Sequence, residues 1–234
     1  VEPNLVEAAA TSVDGADRDL LTDGGIRYNL RRAVAERART AREGVRVIAE
    51  LVEKYGYAQP GRIYLIADRD EAWTMQVVRG HYWAAQRCPD DAVVFVPNHL
   101  TIGVLPEKPT DDLLFAPGIR EYAEKRGWWT RGEPFDFAKV FQAPERRHHP
   151  HNTNRSRYVF GLLTGRAFPG DDFPFAAKPK GKVSLADVKR ALSSHPADEP
   201  RHTNDFHSAS ICRHNTIESL ACAFAAEPSE TVLH

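Results

Sequence analysis

Cysteine is scarce in this chain, and its few copies show no pairing in the sequence. Three cysteines occur among 234 residues, at positions 88, 212 and 222. An odd number without a close paired spacing argues against a disulfide framework and against a zinc knuckle. Cys212 and Cys222 lie in apolar stretches, so we expect a buried core thiol at each of these two positions.

An excess of charge of one sign and a long apolar run are absent as well. Lys and Arg total 31 against 32 Asp and Glu, which leaves a formal net charge of -1. This balance is atypical of proteins that bind a nucleic-acid backbone or an anionic membrane surface. The longest apolar runs, 62–68 and 92–97, are far shorter than the ~20 residues of a membrane helix. We therefore predict neither nucleic acid nor membrane as a partner.

The N-terminal sequence also lacks the features of a signal peptide. It begins Val1-Glu2-Pro3-Asn4, without a charged leader or an apolar core. We expect this start to be internal or processed, and the missing signal peptide favours a cytoplasmic location.

What the chain does contain is typical of a globular protein. Hydrophobic residues make up 42% and charged residues 27%, with only 16 Pro and 15 Gly, which excludes disorder as the main state. A folded chain of this length buries roughly 70–75% of its unfolded surface. We expect a single domain over residues 1–234.

The first half of the chain changes from helical to strand periodicity. Apolar residues recur at steps of three and four across 28–55, and Gly56 follows as a C-terminal cap, so one long helix is predicted. Four short β-rich segments then predict an antiparallel meander: 62–67, 72–78, 81–86 and 92–96. A helix followed by such a meander is typical of an α+β layered fold.

The second half is divided by Pro and Gly into shorter pieces. Amphipathic segments at 118–126, 135–141 and 156–163 predict short helices. Ser184 is predicted to cap a helix over 185–194, with Asp187 in the third helical position as in a capping box. Three further segments have strand character: 206–213, 217–224 and 231–234.

Asn98 is the first candidate for chemistry. It follows Pro97 at the end of a predicted strand, where a side-chain amide can serve as an oxyanion donor. The competing interpretation, a turn asparagine after proline, is favoured by the local sequence taken alone.

Histidine and arginine cluster further along the chain. His148, His149 and His151 could hold a metal, but Pro150 prevents the usual helical spacing of two ligands, so we predict a polar loop and no metal. Arg155 and Arg157 offer guanidinium groups to a carboxylate or a developing negative charge, with a basic helix start as the open alternative.

A serine–histidine pair near the C-terminus is a weaker candidate. Asp205, His207 and Ser208 supply acid, base and nucleophile types. Neighbouring residues of a strand point to opposite faces, however, so a working pair of His207 and Ser208 is not expected.

Five stretches in register resemble the cysteine dipeptidase family of the N-terminal-nucleophile hydrolases, the dipeptidase A and secernin type. They are 37–44, 67–73, 80–85, 89–91 and 97–98, and 184–195 and 211–214 resemble the family as well. Each motif alone is short and weak. Their common order and spacing extend the resemblance over most of residues 20–224.

The resemblance implies an αββα sandwich, with antiparallel sheets and helices on the outer faces, that this chain contains in part. It implies hydrolysis of a dipeptide or small amide by an N-terminal cysteine, with the free α-amine as base and no cofactor. It also implies an oxyanion role for Asn98 and a pocket role for Arg157. His81, Trp83 and His99 are the predicted substrate contacts, and a second processed chain or a homo-oligomer is an expected partner.

The sequence departs from the family pattern at two points. Position 1 is Val and no cysteine precedes Cys88, so we expect either the central part of a longer or cleaved protein or a relative that has lost catalysis. Gln76 stands where an acidic residue is expected. The alternatives to a dipeptidase are a non-catalytic binding or scaffold protein and an amidase or acyltransferase acting on a non-peptide amide.

We predict that the 234-residue chain by itself does not hydrolyse dipeptides, because it carries no N-terminal nucleophile. Release of amino acids from a panel of dipeptides measures this directly. Steady turnover that alkylation of Cys88, Cys212 or Cys222 abolishes would contradict the prediction.

Overall fold

The computed structural model describes residues 21–27, 29–194, 211, 221–224 and 232–233. Its helices are α1 (Leu30–Arg37), α2 (Ala41–Tyr55), α3 (Ile119–Lys125), α4 (Phe137–Phe141), α5 (Pro144–Arg147), α6 (Pro150–Thr164) and α7 (Leu185–Leu192). Its strands are β1 (Tyr57–Ala67), β2 (Ala72–Gly80), β3 (Trp83–Arg87), β4 (Val93–Val94), β5 (Leu113–Phe115), β6 (Ala176–Ala177), β7 (Cys222–Ala223) and β8 (Val232–Leu233). The predicted mixture of helices and antiparallel strands is confirmed.

The chain divides into two compact units. The first takes in residues up to Cys88 together with His99–Arg146, and the second takes in Pro89–Asn98 together with residues from Arg147 onward. A single domain over 1–234 stays a prediction.

A four-stranded antiparallel sheet with the order β1-β2-β3-β5 forms the centre of the first unit. The meander predicted for its first three strands is confirmed. The fourth predicted strand, 92–96, is wrong as part of this sheet, because only Val93–Val94 is a strand and it pairs with Ala176–Ala177 in the second unit. Leu113–Phe115 takes the fourth place instead.

The single helix predicted over 28–55 is interrupted at residues 38–40, which separate α1 from α2. Thr40 has an extended backbone and its side chain accepts from the Glu43 N–H at 3.1 Å. The Asp68 carboxylate accepts from the Ala41 N–H at 2.6 Å. The side-chain oxygens of Thr40 and Asp68 therefore cap the start of a second helix, α2. The apolar periodicity alone had indicated one continuous helix. Gly56 ends α2 with a φ of 75°, as predicted.

The core of the first unit lies between α2 and the sheet. Val45, Ile48 and Val52 of the helix are fully buried in one cluster with strand residues that include Trp73 and Trp83. The family resemblance implies burial of both tryptophans, and they are 0% and 6% exposed. Burial of large apolar side chains of this kind supplies most of the driving force for docking a helix on a sheet.

Gly44 permits the close approach of α2 to the neighbouring elements. A Cβ at this position would lie 2.8 Å from Ile66 Cγ2 and 3.0 Å from Val34 Cγ1. The 37–44 motif thus includes a position where a larger residue would push the helix away from β1.

The opposite face of the sheet is covered unevenly. Thr74, Gln76 and Val78 of β2 are 0% exposed. On the neighbouring β1, Leu65 is 71% exposed, although it pairs with Thr74. The central strand is therefore buried on both faces, whereas β1 leaves an apolar side chain in solvent.

The second unit is built around α6, which is longer than the predicted 156–163. The His149 side chain caps it by accepting from the His151 N–H at 3.2 Å. Pro150 occupies the first helical turn, where a missing N–H costs no hydrogen bond. The predicted polar loop is therefore wrong for Pro150 and His151, because proline here begins a helix, whereas His148 and His149 lie between α5 and α6.

The remaining predictions for the second unit have different outcomes. Ser184 and Asp187 form both hydrogen bonds of the predicted capping box at α7. Cys222 is exposed on β7, so its prediction as a buried thiol is wrong. Three site candidates lie outside the described residues: Asp205, His207 and Ser208. The same holds for Cys212, for residues 206–210 and 212–213 of one predicted strand and for residues 217–220 of the next.

We predict that Asp68→Asn destabilises the first unit by about 1–2 kcal/mol at pH 7, because an amide can no longer accept at both capping positions. Partial burial favours a higher pKa for Asp68, but the backbone N–H groups of Ala41, Glu71 and Asp70, together with Arg69, lower it below its usual value. A lowered folded-state pKa stabilises the fold above the unfolded-state value and loses that effect as the pH falls through the folded value.

The difference between wild type and Asp68→Asn in urea unfolding should therefore narrow below about pH 4. The matched control is Asp70→Asn, since both Asp70 and its partner Arg69 are exposed and such pairs contribute little. A difference that stays constant from pH 7 to pH 3 would exclude the capping role of the ionised carboxylate.

Candidate functional site

Asn98 combines a fixed backbone with an exposed side chain. Pro97 before it is buried, whereas Asn98 itself is exposed. The Asn98 N–H donates to Asn152 Oδ1 at 3.1 Å. The amide of the Asn98 side chain has no hydrogen-bond partner among the described residues. A donor held in this way is available to a ligand from solvent.

Asn152 and Arg155 of α6 form the support beneath Asn98. They are 4% and 7% exposed. Arg155 Nη2 donates to Asn152 Oδ1 at 2.7 Å, and Arg155 Nε donates to the His151 carbonyl one turn earlier. Asn152 Oδ1 therefore accepts from both the helix arginine and the Asn98 backbone.

In the first unit, two buried glutamines hold the residues that follow Asn98 in the chain. Gln142 Oε1 accepts from the Leu100 N–H at 2.9 Å. Gln76 Oε1 accepts from the N–H groups of Thr101 and Ile102 at 2.9 and 3.2 Å, and its Nε2 donates to Thr101 Oγ1 at 2.7 Å. Gln76 is 0% exposed, so the residue that departs from the expected acidic type has an interior role.

Arg157 is engaged with its own chain. Its guanidinium donates to the carbonyls of Phe168 and Gly170, to Asn154 Oδ1 and to Asp171 Oδ1, at 2.8–3.1 Å. These described contacts use four of the five N–H donors of an arginine. The guanidinium also lies 5.8 Å from the Phe173 ring centroid. Arg157 thus fastens the segment after α6 to that helix, and its pocket role stays a prediction.

His81 and Trp83 connect the turn between β2 and β3 to α2. The His81 ring Nδ1 lies 3.1 Å from the Val52 carbonyl, and Trp83 Nε1 donates to Glu53 Oε1 at 2.9 Å. His99 is 9% exposed. All three residues belong to the first unit, whereas Asn98 and Arg157 belong to the second. Direct substrate contacts by His81, Trp83 and His99 stay predictions.

Cys88, at the end of β3, is a half-buried thiol. Burial raises its pKa, against a smaller opposing effect of the Thr74 hydroxyl, whose Oγ1 lies 3.6 Å from Sγ. The thiolate is the nucleophilic form of cysteine. Cys88 is thus held in its unreactive form at neutral pH.

The described part of the chain contains no group of three or more His, Cys, Asp or Glu residues placed to hold a metal ion. None of its helices has the length and apolarity to cross a membrane.

Comparison with known proteins decides the family. The model of peptidase family C69 matches residues 8–213. The chain belongs to peptidase family C69. The resemblance described from the sequence motifs is thereby confirmed.

Curated relatives of this C69 chain are named as dipeptidases. A probable dipeptidase of Latilactobacillus sakei is 29% identical over 202 residues, covering 83% of this chain and 42% of the relative. A dipeptidase of Bifidobacterium longum is 32% identical over 184 residues, and dipeptidase A of Lactobacillus helveticus 28% over 165 residues, each covering 69% of this chain and 34% of the relative. The chain therefore spans roughly a third to two fifths of the length of these relatives.

The family motifs in this C69 chain lie mostly where elements pack. The 37–44 motif contains Thr40 and Gly44, and the 67–73 motif contains Asp68, so the two meet at the start of α2. Asn152, Gln142 and the interior role of Gln76 were not predicted from the sequence. The signal for Asn152 was its position three residues before Arg155, since residues at that spacing are neighbours on a helix.

We predict that Gln76→Leu lowers the free energy of unfolding by about 2–4 kcal/mol, because the N–H groups of Thr101 and Ile102 lose their buried acceptor. Gln76→Glu should cost less, since a carboxylate still accepts from both groups and the Thr101 hydroxyl can turn to donate. Urea unfolding followed by tryptophan fluorescence measures both. Gln86→Leu on β3 is the control, and an equal loss in Gln86→Leu and Gln76→Leu would disprove the anchoring role.

Proposed function

We propose that this chain is part of an N-terminal-nucleophile enzyme that hydrolyses dipeptides or small amides. Membership of family C69 and the dipeptidase names of its relatives support the reaction class. The observation that carries the proposal is the Asn98 side chain, an exposed amide on a backbone held by a buried acceptor. Such a donor is suited to a developing oxyanion because it changes neither its charge nor its position during the reaction.

The proposed chemistry begins with a cysteine at the N-terminus of the mature enzyme. Its α-amine takes the thiol proton, and the thiolate attacks the amide carbonyl carbon. A C–S bond forms while the carbonyl π electrons move to oxygen, which the Asn98 amide then stabilises as an oxyanion. Collapse of the intermediate breaks the C–N bond, and the ammonium group gives its proton to the leaving amine. Water then hydrolyses the thioester to release the acid and restore the thiol.

We also propose the αββα sandwich as the complete fold. The four-stranded antiparallel sheet has the α2 layer on one face. Its β2 strand is buried on the other face as well. Burial of an antiparallel strand on both faces is typical of a sheet inside a layered fold, since a sheet at the surface usually leaves one face in water.

In the enzyme with its nucleophile in place, we predict that Asn98→Ala lowers kcat by about 100- to 1,000-fold with little change in KM. The physical reason is that the oxyanion exists only in the transition state, so the lost donor scarcely affects substrate binding. Initial rates over a range of dipeptide concentrations separate the two constants.

Asn29→Ala is the matched control, because Asn29 is exposed and makes no capping bond at α1. It should leave kcat unchanged. Full kcat in Asn98→Ala would remove Asn98 from the oxyanion hole. Loss of folding in that variant would instead support the turn interpretation of this asparagine.

A further inference from the structure

We propose that Asn152 and Arg155 are positioning residues that fix Asn98 for catalysis. This inference rests on the proposed function and adds two residues to its site. Neither residue touches substrate in this proposal. Arg155 orients the Asn152 amide, and that amide holds the backbone of the residue that carries the oxyanion donor.

The contacts form a short chain that runs from the interior of α6 to the exposed Asn98. Arg155 is held first by its own helix, through the hydrogen bond from Nε to the His151 carbonyl. Its Nη2 then reaches Asn152 Oδ1 at 2.7 Å, and the same oxygen accepts from the Asn98 N–H at 3.1 Å. With 7% and 4% of their surfaces exposed, Arg155 and Asn152 are shielded from water that would compete for these bonds.

Arg155 selects one orientation of the Asn152 amide. An asparagine side chain presents a carbonyl oxygen at one position and an NH₂ group at the other when it is turned by 180°. Two donors, the guanidinium and the Asn98 N–H, converge on one atom of this amide. A turned amide would place NH₂ against both, so the charge-assisted bond from Arg155 keeps the acceptor directed at Asn98.

Arg155 and Arg157 differ in what their guanidinium groups hold. Arg155 Nη2 donates to the amide oxygen that also accepts from the Asn98 N–H. Arg157, two residues further along α6, is bound instead to the segment 168–171. The geometry therefore favours Arg155 over Arg157 as the arginine that supports the reaction.

The test uses the active enzyme with its nucleophile in place. Arg155→Met removes the guanidinium and keeps an unbranched apolar side chain, and Arg155→Lys keeps the charge but replaces the planar guanidinium with one ammonium group. We expect Arg155→Met to lower kcat by about 10- to 100-fold with KM nearly unchanged, the loss typical of a misplaced catalytic group. Arg155→Lys should recover part of that loss. Arg147→Met, which breaks a partly exposed ion pair with Asp172 in the same unit, is the control and should keep kcat.

A double-mutant cycle separates positioning from a structural role. If Arg155 acts through Asn98, Arg155→Lys should lower kcat in the wild type but have little further effect in the Asn98→Ala background. Arg155→Lys and Asn98→Ala both leave the net charge of α6 unchanged. This cycle can therefore be measured even if Arg155→Met fails to fold. If the role of Arg155 is merely structural, Arg155→Lys should lower kcat by the same factor in the wild type and in the Asn98→Ala background.

The other outcomes are equally distinct. Equal factors for Arg155→Lys in the two backgrounds, or a larger loss in Arg157→Met than in Arg155→Met, would overturn the positioning role and leave the proposed function intact. Full kcat in Asn98→Ala would overturn the oxyanion role itself and this inference with it.

Discussion

Buried side-chain amide oxygens hold the backbone on which the candidate site is built. Asn152 accepts from Asn98 within the second unit, while Gln142 and Gln76 accept from residues 100–102 within the first. A buried N–H without an acceptor costs about 1–3 kcal/mol, and this cost applies to the N–H groups of Leu100 and Ile102, whose hydrogen bonds to Gln142 and Gln76 are buried. Asn98 in the second unit and residues 100–102 in the first are each thereby fixed within their own unit.

A second constraint fixes the helix layer of the first unit. The Asp68 carboxylate accepts from the loop N–H groups of Asp70 and Glu71 and from the Ala41 N–H of α2. Gly44 then allows that helix to lie close to Ile66. The two family motifs that contain these residues are thus tied to each other by packing.

Part of the first unit could be predicted from sequence pattern, because α2, β1 and β2 are long elements. The α2 helix and the β1–β2–β3 meander followed from local pattern, whereas the burial of Trp73 and Trp83 followed from the family resemblance. The break between α1 and α2 did not, since Asp68 lies 27 residues from the Ala41 N–H that it caps. The pairing of β4 with β6 could not be predicted either, because a strand of two residues such as β6 is too short to show a strand pattern in the sequence.

Only part of the candidate site could be predicted from the sequence. Asn98 could be selected because proline and a strand end precede it and because a family motif includes it. Asn152 could not, since an asparagine in a helix has no visible function until a backbone N–H from a distant segment is placed against it. Arg155 and Arg157 are alike in sequence. Only their acceptors distinguish them, one within α6 and the other in the segment after it.

The groups that hold residues 98–102 are amides and one guanidinium, and neither kind changes its protonation between mildly acidic and mildly alkaline pH. The hydrogen bonds from the backbone N–H groups of Asn98, Leu100, Thr101 and Ile102 to these amide oxygens therefore persist unchanged over that range of pH.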